Sequence, residues 1–238
     1  MKLTPLFTGL LAVLSLTMSA SSMAALSMDK TRYIFEGNKD AISIVVKNAE
    51  KKTYGGQTWI ENIKETDTRP TFVVTPPFFK ITGDGKQVLR VIKALDEMPE
   101  DKESIYWVNL QEIPPVNKEG GLSVALRTKV KLLYRPANLV EGRKNAETGL
   151  SLISKGGKPV LMNTTPYIFA IADVLDAKEV PVALDDMTHK QLAMFAPGET
   201  VTLPVGSMAK SVVALDDLGY AGTHEIKGTG PVTNSTTP

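Results

Sequence analysis

Apolar and polar residues alternate with a period of two over most of this chain, in short runs cut by turn residues. Leu122, Val124 and Leu126 alternate with Ser123, Ala125 and Arg127, the pattern of a β-strand with two unlike faces. The run continues through Arg127, Lys129 and Lys131, threaded with Val130, Leu132 and Leu133, to Tyr134-Arg135-Pro136. Pro136 cannot donate a ladder hydrogen bond, so the strand is expected to end there. From Gly121 to Pro136 it would reach about 45 Å, where ordinary strands have about 5–6 residues. A strand of that length points to a sheet edge that lends itself to another protein.

The rest of the chain before Pro136 reads as further short strands, with no long helix. Leu26 to Phe35 is extended and Glu36-Gly37-Asn38 turns it. Ala41 to Val46 is β-branched. Tyr54 to Ile60 carries Trp59, a candidate core aromatic. Thr71 to Val74 runs into Thr75-Pro76-Pro77, which breaks any ladder. Gly83-Asp84-Gly85 is a tight turn, and Val88, Arg90 and Ile92 then alternate with Leu89, Val91 and Lys93. Ser104 to Gln111 ends at Ile113-Pro114-Pro115, and a short polar loop, Val116 to Gly120, leads into the long strand. Seven strands with these turns predict an immunoglobulin-like sandwich.

After Pro136 the character changes. Asn138 to Thr148 is polar and charged, a candidate linker. A second all-β set is predicted at Leu150–Ser154, Val160–Met162, Tyr167–Leu175, Gln191–Phe195, Thr200–Val205 and Ser211–Leu215. The tail from Gly228 to Pro238 has too little apolar content to fold and is expected to be disordered. The predicted organisation is a signal peptide over 1–24, one sandwich over 25–139, a second over 140–227 and the tail over 228–238.

The signal peptide rests on Lys2, an uncharged apolar stretch from Leu6 to Met18, and the small-x-small site Ser22-Met23-Ala24. The apolar stretch is too short for the roughly 20 residues of a membrane span. The chain of 238 residues has 27 Lys and Arg against 26 Asp and Glu. Removing the leader, with Lys2 and no acid, balances the two. A neutral surface argues against nucleic acid. There is no cysteine. An exported chain without disulfides must hold itself by its cores. The histidines are His189 and His224, so a histidine-rich metal site or a thiol nucleophile is unavailable. No cofactor, no metal and no enzymatic activity are expected.

Several segments together resemble the periplasmic chaperones of the chaperone–usher pilus pathway, the PapD-like family. They are Asp29 to Phe35, Trp59 to Asn62, Thr75 to Pro77, Asp101 to Ser104, Asn109 to Pro115, Ala125 to Pro136 and Thr165 to Tyr167. The resemblance implies two immunoglobulin-like sandwiches set at an angle, with a cleft between them. It implies a periplasmic protein whose partners are pilus subunits and an outer-membrane usher. Arg32 and Lys131 match the family's basic pair, which holds the C-terminal carboxylate of a subunit. Leu122, Val124 and Leu126 match the residues lent to the subunit's groove. Glu103, Arg135 and Asp217 match an interdomain salt-bridge network. The short loop before the lending strand resembles the short-loop branch, whose members generally build rod-like adhesive pili. The chain departs from many relatives in lacking a cysteine pair in the second domain. It also has Gly83-Asp84-Gly85 where many carry Pro-Gly, so no usher-contact residues are carried over.

The chemistry is consistent with these roles. A carboxylate in a partly dry cleft needs charge-assisted donors, and an arginine fork and a lysine point charge supply them. Strict alternation, however, puts Lys131 on the face opposite Leu122, Val124 and Leu126. Either a bulge or the strand's twist reconciles them, or Lys129 completes the anchor. The alternative to a chaperone is a secreted two-domain sandwich acting as a pilin or adhesin. A pilin would usually lack one strand, and the first domain here shows a full set. The sequence leaves open whether the free chain caps its own strand as a homodimer.

Overall fold

A computed structural model describes residues 24–63, 70–95, 97–116 and 123–227. The expected signal peptide, apart from Ala24, and the expected tail lie outside those residues. So do the loop residues 117–121 and the predicted lending residue Leu122.

Two sheets form the first domain. One has the order β1-β3-β7-β5 and the other β2-β9-β8-β4-β6. Their strands are β1 (Leu26–Met28), β2 (Arg32–Glu36), β3 (Ala41–Asn48), β4 (Tyr54–Asn62), β5 (Phe72–Thr75), β6 (Phe78–Ile81), β7 (Lys86–Lys93), β8 (Ser104–Ile113) and β9 (Arg127–Arg135). The period-two pattern does what it predicts. Leu89 and Val91 of β7, Ile44 and Val46 of β3, Val108 and Leu110 of β8, and Leu132 and Tyr134 of β9 point into one core. Phe72 sits at its centre, with Phe35 at 5.2 Å and Tyr106 edge-on at 4.9 Å between ring centroids. Gly83 is required by close approach, because a Cβ there would lie 2.2 Å from the Lys51 carbonyl oxygen.

Several expectations need correction. Leu26 to Phe35 is two strands in different sheets, β1 beside β3 and β2 beside β9. Asp29 makes the switch: its Oδ1 accepts from Val45 N at 3.0 Å and from the Tyr33 hydroxyl at 2.6 Å. Trp59 is not in the core. It lies half-buried on the outer face of β4, with the Arg127 guanidinium 4.7 Å above its ring. The long strand starts at Arg127 rather than Gly121. Continuing the β8–β9 register would set Pro114 opposite Val124, and a proline has no N–H to give. β8 therefore has no N–H to give Val124, and residues 123–126 are not part of the strand.

The second domain packs a sheet of order β10-β11-β13 against one of order β12-β14-β15. The strands are β10 (Leu150–Lys155), β11 (Lys158–Asn163), β12 (Ala170–Asp176), β13 (Thr200–Thr202), β14 (Ala209–Leu215) and β15 (Ala221–Glu225). Leu150, Leu161, Phe169, Val174, Phe195 and Val212 belong to its core. The strand expected at Gln191–Phe195 is instead the last two residues of a helix, α1 (Asp186–Leu192), a turn at 193–194, and an antiparallel bridge from Phe195 to Phe169. Asp185 caps it, its carboxylate accepting from Thr188 N at 2.7 Å, and His189 and Lys190 sit in its last turn. The candidate linker is three successive 3-10 turns, at 137–139, 141–143 and 146–149, that bury Glu147. Leu139 and Ala146 pack on the second core, so this polar stretch is part of the folded structure.

Candidate functional site

Parallel pairing of β2 with β9 sets Arg32 directly beside Lys131. The β8–β9 register runs from Ser104↔Tyr134 to Gln111↔Arg127 without a shift, so no bulge intervenes. Even-numbered Val130, Leu132 and Tyr134 face the first core, which turns Arg127, Lys129 and Lys131 outward. There Lys131 meets the second domain, its Nζ donating to the carbonyl of Ala193 at the C-terminal end of α1. Arg32 Nη1 donates to the carbonyls of Leu215 at 3.3 Å and Asp216 at 3.1 Å. Its Nε is buried without a partner.

Among the described residues, no carboxylate lies within ion-pairing distance of Arg32 or Lys131. Burial pushes the Lys131 ammonium below its ordinary value, and Arg32 beside it pushes the same way. Burial likewise lowers Arg32, against the pull of Asp217 and Asp216. Among the described residues, these two adjacent, half-buried cations hydrogen-bond only to neutral carbonyls, and the Arg32 Nε–H is left over. An incoming anion finds charge-assisted donors ready.

Lys129, the other candidate from the sequence, is differently placed. Its Nζ pairs with Glu61 Oε2 at 2.9 Å. Arg127 pairs with the other oxygen of Glu61 and also donates to Asn109 Oδ1. The structure therefore brings Arg32 together with Lys131 and keeps Lys129 in a separate cluster, where it shares the Glu61 carboxylate with Arg127. Neither Glu61 nor Asn109 stood out in the sequence as part of a site. The available signal was Trp59 and Glu61, two apart on one face of β4, opposite a basic strand.

Val124 and Leu126 lie just before β9 and share the parity of its inward residues. Val124 is 62% exposed and Leu126 is 37% exposed. By that parity they fall on the face opposite the outward cations. The backbone beside them is also unpaired on one side. Glu112 N donates to Leu126 O at 2.9 Å, so even-numbered residues turn their polar groups toward β8. Arg127 and Lys129 turn theirs away, and β2 takes up that side only from Lys131. Among the described residues, an open strand edge therefore runs up to the cation pair.

Glu103, Arg135 and Asp217 come together where the domains meet. Arg135 Nε donates to Glu103 Oε1 at 2.6 Å, and its Nη1 and Nη2 donate to Asp217 at 2.7 and 2.9 Å. Arg135 and Glu103 are buried. Glu103 also accepts from Ile168 N of the second domain at 2.7 Å. Burial alone would raise the Asp217 carboxyl, but Arg135 and then Arg143 hold it below its ordinary value. Arg143 extends the network to the buried Glu147 at 2.7 Å. Both lie in the stretch 138–148 that the sequence alone reads as a linker.

Removing one member of such a network leaves an uncompensated buried charge, at a cost of about 3–5 kcal/mol. Glu103→Ala is therefore expected to lower Tm by roughly 10 °C for a chain of this size. Thermal unfolding followed by circular dichroism checks this. A curve superimposable on wild type would mean that these charges are solvated.

Two immunoglobulin-like sandwiches joined by a buried ion network, with an open strand edge ending at a basic pair, define a class of two-domain strand-presenting proteins. Residues 25–140 match the family described as pili and flagellar-assembly chaperone, PapD N-terminal domain. The chain is 53% identical over 213 residues to the chaperone protein FaeE of Escherichia coli, covering 89% of this chain and 82% of that one. It is 37% identical over 216 residues to the chaperone protein FanE of Escherichia coli, covering 88% and 93%. This chain belongs to the PapD-like family of pilus-assembly chaperones. In structure it resembles the periplasmic chaperone SfaE, with TM-score 0.68 and 28% identity over 86% of this chain and all 100% of that one. The same fold occurs in the Salmonella enterica SafA pilin–SafB chaperone complex, with TM-score 0.68 and 22% identity over 87% of this chain and 99% of that one.

Proposed function

We propose that this chain is a periplasmic chaperone that binds pilus or fimbrial subunits by lending them a β-strand and then delivers them to an outer-membrane usher. The observation that carries this is the open edge of β9 ending beside Arg32 and Lys131. An incoming subunit strand adds to that edge through main-chain hydrogen bonds. Leu122, Val124 and Leu126 fill its groove, each contributing about 1.5–3 kcal/mol before ordering costs. Arg32 and Lys131 take the subunit's terminal carboxylate and thereby set register, since a one-residue slip would turn every apolar side chain away. Glu103, Arg135 and Asp217 keep the two domains oriented so that the cation pair stays at their junction. No bond is made or broken, and no cofactor is required. The names of the relatives favour this reading over a pilin or adhesin, and so does the complete first sandwich.

The test is co-expression in the periplasm with a fimbrial subunit, followed by affinity capture of the chain and mass spectrometry. A one-to-one complex, with the subunit lost when the chain is omitted, is expected. Soluble, intact subunit accumulating without the chain would overturn the proposal.

A further inference from the structure

A slip of two residues is the register error that strand addition does not prevent by itself. It restores the same face to every side chain and the same direction to every backbone polar group. The ends of the strand, its charges and the fit of each side chain are what tell the two registers apart. On the outward face of β9 the residue two before Lys131 is another lysine, Lys129, roughly 7 Å away along the strand. Left free, it would offer a carboxylate a second point of attachment.

The structure occupies it. Glu61 reaches across from β4 and accepts from Lys129 through Oε2 at 2.9 Å. Through Oε1 it accepts from Arg127 and from Trp59 Nε1, the latter at 2.8 Å. Arg127 is further held by Asn109 Oδ1, at 2.8 Å from Nη2, and lies over the Trp59 ring. Among the described residues, the Lys129 ammonium has no other hydrogen-bond or ion-pair partner, and the Arg32 and Lys131 side chains donate only to carbonyls. Lys129, Arg127 and Trp59 together hold the Glu61 carboxyl down at about 2, although burial opposes them, so it stays charged throughout the neutral range.

We infer that Glu61 is a positioning residue for subunit capture: it masks Lys129, so that a subunit carboxylate is received only at Arg32 and Lys131 and the lent strand pairs in one register. This rests on the strand-lending function proposed above. Glu61 need not touch the subunit, since it acts through Lys129.

The chain has no cysteine, so single reporters can be introduced cleanly. Leu126→Cys and Thr128→Cys are made separately and paired with a co-expressed fimbrial subunit carrying one cysteine in its C-terminal strand. The two disulfide yields report the register. In the wild-type background one reporter dominates. With Glu61→Gln, which keeps an acceptor for Trp59 but loses the charge, the ratio of yields is expected to fall about fivefold, the scale of losing one exposed ion pair. Adding Lys129→Gln to Glu61→Gln restores the wild-type ratio, which a merely structural effect of Glu61 would not do. An unchanged ratio in Glu61→Gln, or no recovery in the double variant, overturns the inference while leaving strand lending intact. If neither reporter crosslinks in the wild-type background, the strand-lending function itself fails.

Discussion

Arg32→Ala and Lys131→Ala are each expected to abolish stable capture of a fimbrial subunit. Truncating one member of a buried, hydrogen-bonded charge contact costs about 2–5 kcal/mol, roughly 30-fold to several-thousand-fold in affinity. The free chain loses little by comparison. Arg32 gives up two hydrogen bonds to carbonyls, and Lys131 gives up one. Either change also relieves repulsion between adjacent cations. Circular dichroism and Tm should therefore stay close to wild type. Lys129→Ala is the control. Its ammonium is already paired with Glu61 on a partly solvated face, so capture should be much less affected. Co-purification of the subunit with each variant is the measurement. Full recovery of complex by both Arg32→Ala and Lys131→Ala would remove the anchor from the account.

The parts of the fold that alternate cleanly were legible in the sequence. Leu89 and Val91, or Leu132 and Tyr134, announce a buried face by period alone, and β7 and β9 carry it. Other parts failed for physical reasons. β15, Ala-Gly-Thr-His-Glu, is an edge strand with little apolar content and is held by pairing with β14. β6 follows Pro76-Pro77 and leaves Phe78 62% exposed, so neither flank nor face marked it as a strand. The helix at Asp186–Leu192 has its signal in the Asp185 cap and the charges at its ends, whereas Leu192 and Phe195 near its end also suit a strand.

The candidate site divides in the same way. Arg32, Lys131, Glu103, Arg135 and Asp217 could be named because charged residues at motif positions are visible in a sequence. The carbonyls of Ala193, Leu215 and Asp216 that hold the cation pair could not, since backbone groups carry no residue signature. The apparent conflict between Lys131 and the apolar triplet came from assigning both to one face. By parity Val124 and Leu126, just before β9, fall on the face opposite Lys131, and β9 pairs with β8 without a bulge. Glu61 escaped notice because its role depends on β4 lying one strand away from β9, with β8 between them.

The central claim is that residues 122–126 are lent to a partner and do not belong to the chain's own core. Val124→Asp tests it most directly. Val124 is 62% exposed in the free chain, so a carboxylate there stays solvated and should cost almost no stability. In a subunit groove the same carboxylate is desolvated without a partner, and affinity should fall at least about 100-fold. The measurement is paired: subunit co-purification and thermal unfolding on the same variant. The account predicts that capture is lost while Tm stays within a few degrees of wild type. Intact capture, or unfolding of the first domain by this one change, would contradict it.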